Sequence, residues 1–216
     1  CAEKYQFTRE AQDNYALTSL ENSLSAQKSG AFENEIKAIE VIDRKGIKRF
    51  IGLDEQPQNA QPDKIPNLKP AFRTNGTVTA ANSSSISDGG AALILASKIH
   101  AENEGLPKRA RIMGHSSYAH APGLFTTAPI YAVKKLLKSI NWSIEMVDLW
   151  EVNEAFAVVP MAFMQELDVP RKKMNVHGGA CAIEHPIGAS GARIMVTLLN
   201  ALERYDLKRG VAAVCI

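Results

Sequence analysis

The sequence predicts an α/β fold in which a mostly parallel, mixed sheet is covered by helices. The first observation is that apolar runs of strand length alternate four times with helical periodicity between residues 111 and 216. Such alternation is typical of βαβ units, whose helices cross over between parallel strands and cover the sheet. The second observation is composition: 45% of the 216 residues are hydrophobic and 22% are charged, as in globular proteins with a packed core.

Charge and cysteine content exclude several classes of protein. The chain has 25 Lys and Arg against 23 Asp and Glu, a net charge of +2, so we expect no nucleic-acid partner and no anionic membrane surface. Cys1, Cys181 and Cys215 form no CxxC pair, which argues against a disulfide framework or structural zinc and for a reducing compartment. The sequence contains no apolar run of about 18 residues, so we expect no membrane span.

The first 70 residues predict a helix, a strand and a surface excursion. Residues 8–30 favour a helix, because Thr8 is a suitable N-cap and Gly30 a suitable C-cap. Residues 35–42 alternate polar and apolar side chains, which predicts a half-buried strand. Residues 54–70 carry four prolines among Gln, Asn and Asp, which is typical of a surface loop.

The middle of the chain begins with a run of small residues. Residues 80–85 are Ala, Asn and Ser, which form either a solvated loop or a surface that lets another group approach the backbone closely. An apolar run at 91–96, a helix at 98–104 and a strand at 111–113 follow. Pro129 then opens a helix whose apolar face consists of Ile130, Val133, Leu137 and Ile140.

The last third of the chain completes the alternation. The pattern predicts, in order, strand 147–152, helix 153–167, strand 175–177, helix 189–204 and strand 211–216. Pro160 lies inside the first of these helices and predicts a kink there. Because the chain begins without Met and its last strand stops before any turn residue, we expect a fragment of a longer protein.

Three side chains with useful chemistry lie where predicted strands end or in the loop after one. They are Asn153, His185 and Cys215, spaced by about one βα unit each, so parallel strands would deliver them to the same sheet edge. Each also fits a structural role, as a helix cap, a loop residue and a core residue respectively. The glycine-rich segment 175–193 favours the functional interpretation, because a surface loop does not need to hold an imidazole beside a helix N-terminus.

Four segments resemble the motifs of the thiolases, in the family's order and spacing. Residues 153–157 (NEAFA), 175–193 and 214–216 are similar to its three downstream motifs. Residues 76–89 resemble the segment between its loop domain and the end of its N-terminal half. The resemblance covers essentially the whole chain, and the motif Trp150-Glu151-Val152 with residues 125–129 looks most like the acetoacetyl-CoA thiolase branch.

The resemblance implies a layered thiolase-like fold and an acyl transfer. Residues 1–86 would be part of the loop domain, 87–108 the last strand and helix of the N-terminal half, and 109–216 a truncated C-terminal half. The reaction would be the reversible Claisen condensation of two acetyl-CoA to acetoacetyl-CoA and CoA through an acyl-cysteine. Coenzyme A thioesters would be substrates, with no cofactor and no metal, in a cytoplasmic homodimer or homotetramer, or a mitochondrial matrix one in a eukaryote.

The resemblance also assigns roles to the three candidates. His185 would activate the nucleophile and help to hold the enolate oxygen, and Asn153 would position a water that completes that oxyanion hole. Cys215 would be the acid and base for the α-carbon, which asks for a thiol of near-neutral pKa. The nucleophilic cysteine would lie in the N-terminal half and is not Cys1, whose surroundings match a later helix. The residues expected to line the substrate tunnel are Ala80, Ser84, Phe125, Ala155 and Phe156.

Three residues depart from the family pattern. Glu184 stands where the family has Gly before the histidine, so it adds strain if that position needs an unusual backbone angle. Its carboxylate could also favour the imidazolium form of His185. His177 replaces the usual Asn, and Leu20 replaces the Tyr of the potassium-using subtype, which argues against a potassium site.

Two alternatives stay open at this point. A degradative 3-ketoacyl-CoA thiolase would share these motifs and would prefer longer acyl chains. A thiolase-like protein that binds acyl-CoA or lipid without catalysis is the second alternative, and Glu184 is the residue that favours it.

Overall fold

The computed structural model of the chain describes residues 1–215 and combines helices with short strands. The helices are α1 (Ala2–Tyr5), α2 (Arg9–Lys28), α3 (Gln56–Asn59), α4 (Lys98–Asn103), α5 (Ala128–Ile140), α6 (Val158–Leu167), α7 (Ala180–Ile183) and α8 (Ser190–Arg204). The strands are β1 (Ile39–Ile42), β2 (Lys48–Ile51), β3 (Leu149–Val152) and β4 (Gly210–Ala213). Short 3₁₀ helices lie at Pro62–Asn67, Pro122–Thr127 and Arg171–Lys173.

Strands β3 and β4 form the parallel sheet on which the core is built. They pair in register from Leu149 opposite Gly210 to Val152 opposite Ala213. Leu149 packs with apolar residues of α8 on one face, whereas Trp150 belongs to the large apolar cluster with α5 and α6 on the other. All four residues of β3 are buried, as expected for a strand covered by helices on both faces. The predicted α/β class is therefore confirmed.

The long helices follow the predicted periodicity. Helix α2 begins where expected, because the Thr8 hydroxyl accepts a hydrogen bond from the Ala11 N–H at 3.0 Å. Helix α5 has Pro129 in its first turn and buries Ile130, Val133 and Leu137 of its predicted apolar stripe, whereas Ile140 is only partly buried. Helix α8 begins at Ser190, one residue after the predicted start. The positions of these helices follow from local signals in the sequence, namely the N-cap, the first-turn proline and the apolar stripes.

Helix α6 begins later than the sequence predicts. Its first residue is Val158, and Asn153 does not cap it, because residues 153–157 run as irregular chain before it. Pro160 therefore falls in the first turn, where the backbone N–H has no partner within the helix in any case. The reason for expecting a kink at Pro160 disappears, and Asn153 is free to serve the site.

Three predicted strands are absent from the described residues. Residues 175–177 form a turn, with Asn175 in the left-handed region at φ 45°. Residues 91–96 and 111–113 adopt no regular structure and are largely exposed, with Ile94 96% exposed. A strand needs a neighbouring strand for its backbone hydrogen bonds, and no strand among residues 1–215 pairs with these two apolar runs.

The predicted strand 35–42 is shorter and more exposed than expected. Strand β1 runs antiparallel to β2, and all eight residues of the two strands are exposed. The turn between them is held by Asp43, whose carboxylate accepts hydrogen bonds from the N–H groups of Lys45 and Ile47. Polar and apolar alternation predicted the strand correctly, but it does not reveal whether a core lies beneath it.

Residues 54–70 are mostly exposed, as predicted, although Pro57 and Ile65 are buried. The segment is tied to α2 by Arg9, whose guanidinium donates to the carbonyls of Ile65 and Leu68 at 2.8 and 3.0 Å. Within residues 1–215, no helix has both the length and the apolar composition needed to cross a bilayer.

Candidate active site

The side chains of Asn153 and His185 meet beyond the end of strand β3. Asn153 follows β3 directly, and its backbone N–H continues the ladder to β4 by donating to the Ala213 carbonyl at 2.9 Å. Its side-chain Nδ2 lies 3.2 Å from Nε2 of His185, which follows α7. Two of the three predicted residues are thus in contact although 32 positions separate them in the chain.

The other imidazole nitrogen is held by a residue that the sequence analysis missed. Nδ1 of His185 lies 2.5 Å from the hydroxyl oxygen of Ser190, and that hydroxyl donates to the Pro186 carbonyl at 3.0 Å. A hydroxyl has one proton, so Ser190 must accept from an Nδ1–H. Nε2 then carries the lone pair and accepts from the Asn153 amide. The position of Ser190, five residues after His185 at the start of a helix, was the available signal.

The surroundings of His185 favour its neutral form. Burial lowers the pKa of the imidazole below its ordinary value, and the positive charge of Arg193 lowers it further. Arg193 is fixed by Glu151, whose carboxylate lies 3.1 Å from its guanidinium. A lowered pKa disfavours the imidazolium form, which the Glu184 carboxylate was expected to favour. A neutral imidazole with its lone pair on Nε2 is the form that accepts a proton, once the Asn153 amide releases that lone pair.

The backbone at Glu184 has the unusual conformation expected for this position. Its φ is 74° and its ψ 170°, a region that only glycine populates readily. The peptide that follows leads directly into His185, whose N–H donates to the Ser85 carbonyl at 3.1 Å. The strained residue therefore sets the direction in which the histidine enters the site.

The run of small residues packs against the loop that carries Asn153. The N–H and the hydroxyl of Ser84 both donate to the Ala155 carbonyl, at 3.1 and 3.0 Å, and Ser83 forms an antiparallel bridge with Phe156. Of the two alternatives left open for this run, the close approach of another segment is the one observed. Ala80 and Phe125 are exposed. The tunnel-lining role of all five residues, Ala80, Ser84, Phe125, Ala155 and Phe156, stays a prediction.

Cys215 lies beyond the end of β4, two residues after the carbonyl that binds the Asn153 N–H. Parallel pairing thus brings it to the same edge of the sheet as Asn153, as predicted. Its thiol is buried in the apolar cluster, and burial raises its pKa to about 11. Among the described residues Cys215 is therefore a neutral thiol at neutral pH. The acid and base role expected from the sequence requires a thiol whose pKa is near neutral. Ile216 lies outside the described residues.

The two remaining departures from the family pattern lie behind the site. His177 is buried against Phe32, its Nε2 lies 3.3 Å from the Tyr205 hydroxyl, and burial lowers its pKa to about 4. Leu20 is buried in α2. Among residues 1–215, no three His, Cys, Asp or Glu side chains are grouped closely enough to hold a metal ion.

An open depression of about 420 Å³ lies beside the histidine. Residues 87–91 form one wall, and Pro186 to Ala189 with Ala192 form the other. Its small side chains leave room for a ligand next to the His185 segment.

Comparison with protein families matches both parts of the chain. Residues 1–99 match the family described as the thiolase N-terminal domain, and residues 106–216 match the thiolase C-terminal domain.

Curated relatives are similar over the full length of the chain. The chain is 49% identical to a probable acetyl-CoA acetyltransferase of Dictyostelium discoideum and 44% identical to an acetyl-CoA acetyltransferase of Pseudomonas aeruginosa. It is 45% identical to the cytosolic acetyl-CoA acetyltransferase of Mus musculus. In each case all of this chain is aligned, to 52%, 55% and 55% of the relative respectively. The chain therefore spans about half the length of these relatives.

Solved structures have the same fold. The acetyl-CoA acetyltransferase of Bacillus anthracis superposes with a TM-score of 0.96 at 41% identity, covering 100% of this chain and 55% of that one. An Ascaris suum thiolase in complex with coenzyme A gives 0.88 at 38% identity over 99% of this chain and 54% of that one. Human mitochondrial 3-ketoacyl-CoA thiolase gives 0.91 at 34% identity over 100% and 54%. Domain matches, sequence identity and fold agree that this chain belongs to the thiolase family.

Proposed function

We propose that the protein containing this chain is an acyltransferase that condenses two acetyl-CoA to acetoacetyl-CoA and CoA, and catalyses the reverse cleavage. The observation that carries the proposal is the contact between Asn153 and the lone-pair nitrogen of His185. The contact brings an imidazole base and an amide side chain together at one point. The relatives named acetyl-CoA acetyltransferase support the choice of substrate.

In the first half-reaction, Nε2 of His185 accepts the proton of an attacking cysteine. The thiolate adds to the thioester carbonyl of acetyl-CoA, the C–S bond to CoA breaks, and CoA leaves with a proton while the enzyme keeps the acetyl group. We propose that this cysteine lies in the part of the relatives' length that the chain does not span.

In the second half-reaction, a second acetyl-CoA loses an α-proton and its enolate attacks the acetyl-cysteine, which releases the cysteine thiolate. Asn153 supports the enolate through a water molecule. Its Oδ1 is buried and has no partner among the described residues, so it is an acceptor that a water can fill. That water can donate its second proton to the enolate oxygen.

Cys215 exchanges the α-proton in this proposal. As a neutral thiol it can protonate the α-carbon in the cleavage direction. In the condensation direction the thiol must first lose its proton, which its raised pKa opposes. We therefore expect groups beyond the described residues, or the bound substrate, to lower the pKa of Cys215 in the working enzyme.

We further propose that coenzyme A thioesters are the only small-molecule partners and that no cofactor or metal takes part. The full protein would assemble as a homodimer or homotetramer, without nucleic acid or membrane. The cytosolic mouse relative supports a cytoplasmic location.

The experiment is an assay of the full-length protein for acetoacetyl-CoA cleavage and for acetyl-CoA condensation. Turnover of the four-carbon substrate in preference to longer 3-ketoacyl-CoA supports the proposal. A preference for longer chains would favour a degradative thiolase, which the likeness to the human mitochondrial enzyme keeps as the second candidate. Binding of CoA without any turnover would instead indicate a non-catalytic binder.

A further inference from the structure

We propose that Glu154 is a positioning residue that fixes the distance between the Asn153 amide and the His185 imidazole. The inference deepens the proposed function and rests on it, because it assigns another residue to the same site. Glu154 was not a candidate in the sequence analysis, although it follows Asn153 directly.

Glu154 is completely buried, and each of its carboxylate oxygens accepts two hydrogen bonds. Oε1 accepts from the Tyr15 hydroxyl at 2.9 Å and the Asn175 amide at 2.8 Å. Oε2 accepts from the Ser19 hydroxyl at 2.7 Å and the Cys181 backbone N–H at 3.1 Å. Four donors occupy the acceptor sites of a carboxylate, so the group is held in one orientation.

The four donors come from three separate parts of the chain. Tyr15 and Ser19 lie on α2, Asn175 lies in the turn after β3 and α6, and Cys181 lies in the His185 loop, which we define as residues 178–185. The loop packs closely on the carboxylate, because a Cβ added to Gly179 would collide with the carboxyl group of Glu154. Glu154 thus joins the His185 loop to the two elements that surround it.

Three contacts connect the same two stretches of chain. The first is the 3.2 Å contact between Asn153 and His185, and the second is the 3.1 Å hydrogen bond from the Cys181 N–H to the Glu154 carboxylate. The third is a 3.8 Å contact between the Cys181 thiol and the Glu154 backbone carbonyl. Asn153 and Glu154 are adjacent, and Cys181 precedes His185 by the end of α7 and one strained residue. The second contact therefore sets how far the His185 loop stands from Asn153.

The site needs an acceptor at both oxygens, which only a carboxylate provides. None of the ion pairs formed by residues 1–215 includes Glu154, and all four hydrogen-bond donors to its carboxylate are neutral groups. A buried charge without an ion pair is an expensive way to gain stability. The Glu154 carboxylate instead serves to accept hydrogen bonds from α2 and from the His185 loop at the same time.

The test is Glu154→Gln in the full-length protein. Glutamine fits the same space, but if its oxygen keeps the Tyr15 and Asn175 bonds, its NH₂ group faces the Cys181 N–H. That repulsion should displace the His185 loop. We expect kcat for acetoacetyl-CoA cleavage to fall about 10- to 100-fold, with KM within about twofold, because substrate contacts are unchanged.

The matched control is Tyr15→Phe, which removes another hydrogen bond to the same carboxylate but leaves the link to Cys181. We expect it to lower stability while kcat stays within about threefold of wild type. An unchanged kcat in Glu154→Gln, or an equal loss of kcat in Tyr15→Phe, would overturn the positioning role.

If Glu154→Gln does not fold, Glu154→Asp replaces it. The shorter side chain keeps the charge but withdraws the carboxylate from the Cys181 N–H, so the same loss of kcat is expected and wild-type kcat would refute the inference. Wild-type enzyme without turnover would refute the proposed function instead. In that case the imidazole nitrogen shifts of His185 by NMR decide the inference, because Glu154→Gln should change the Nε2 signal and Tyr15→Phe should not.

Discussion

At the scale of single residues, the site is determined by where protons lie on His185. The Ser190 hydroxyl accepts a hydrogen bond from Nδ1–H of His185, which leaves Nε2 as the acceptor that faces Asn153. Burial and Arg193 keep the ring neutral, so its base is available at neutral pH. Ser190 and Arg193 lie in the same glycine-rich segment as His185, but the sequence does not show which way their side chains face.

Replacing Glu184 by glycine should stabilise the chain. At φ 74° and ψ 170° a glutamate carries strain of about 1–3 kcal/mol that glycine does not. We expect Glu184→Gly to raise the free energy of unfolding by about 1 kcal/mol or more in urea titrations. Asp168→Gly is the control, because Asp168 at φ 52° and ψ 40° lies in the left-handed region that aspartate tolerates. No gain in Glu184→Gly, or an equal gain in both variants, would contradict the strain at Glu184.

His177 should make stability depend on pH. Its pKa is about 4 in the folded chain and close to 6.5 in the unfolded chain. Between these two pH values the unfolded state binds a proton that the folded state does not bind. Its stabilising contribution is complete above pH 6.5 and decreases as the pH falls towards 4. Urea midpoints at pH 7 and pH 5 measure this effect. His177→Asn should show a smaller fall between the two pH values than wild type, and an identical fall would exclude His177 as its source.

At the scale of elements, sequence periodicity predicted the long helices, which depend on local signals. It failed for the predicted strands that are absent from residues 1–215, because a strand depends on a partner elsewhere in the chain. Helices α2, α5 and α8 follow from caps and apolar stripes that a sequence shows directly. The strand expected at 175–177 is a turn, because one asparagine side chain takes over the pairing. Asn175 binds both the N–H and the carbonyl of Val152 at 2.8 Å. The pattern of polar and apolar residues does not show whether a backbone or a side chain will form the hydrogen bonds to a neighbouring strand.

Removing that side chain should destabilise the sheet edge. Asn175→Ala leaves the N–H and carbonyl of Val152 and one acceptor site of Glu154 without their partners. Each unsatisfied buried group costs about 1–3 kcal/mol, so we expect a loss of about 3 kcal/mol or more in the free energy of unfolding. Asn22→Ala is the control, because it removes only a long 3.5 Å contact to the Asn175 carbonyl and should cost less than about 1 kcal/mol. Comparable losses in the two variants would show that the Val152 bonds are not what Asn175 contributes.

At the scale of the whole molecule, the sequence predicted the fold class and which chemical groups share a sheet edge. Asn153, His185 and Cys215 were identified from strand ends and a glycine-rich segment. Parallel pairing of β3 with β4 brings Asn153 and Cys215 to one edge, and His185 reaches that edge through its contact with Asn153 rather than from a strand. The state of each group was not predictable. The raised pKa of Cys215 follows from burial, which depends on packing from the entire chain. Likewise, the exposure of Ile94 and Ile112 depends on which strands are present to pair with their segments.

The central claim is that Asn153, in contact with His185, holds the water that stabilises the developing enolate charge. The most direct measurement is kcat for acetoacetyl-CoA cleavage by the full-length protein and by its Asn153→Asp variant, with KM determined alongside. A carboxylate in place of the amide opposes the developing negative charge, and weakening the stabilisation of an oxyanion by one group typically costs about 10²–10³ in rate. We therefore predict a fall in kcat of that size with KM changed less than about threefold. A variant with wild-type kcat, or one in which only KM changes, would contradict the account.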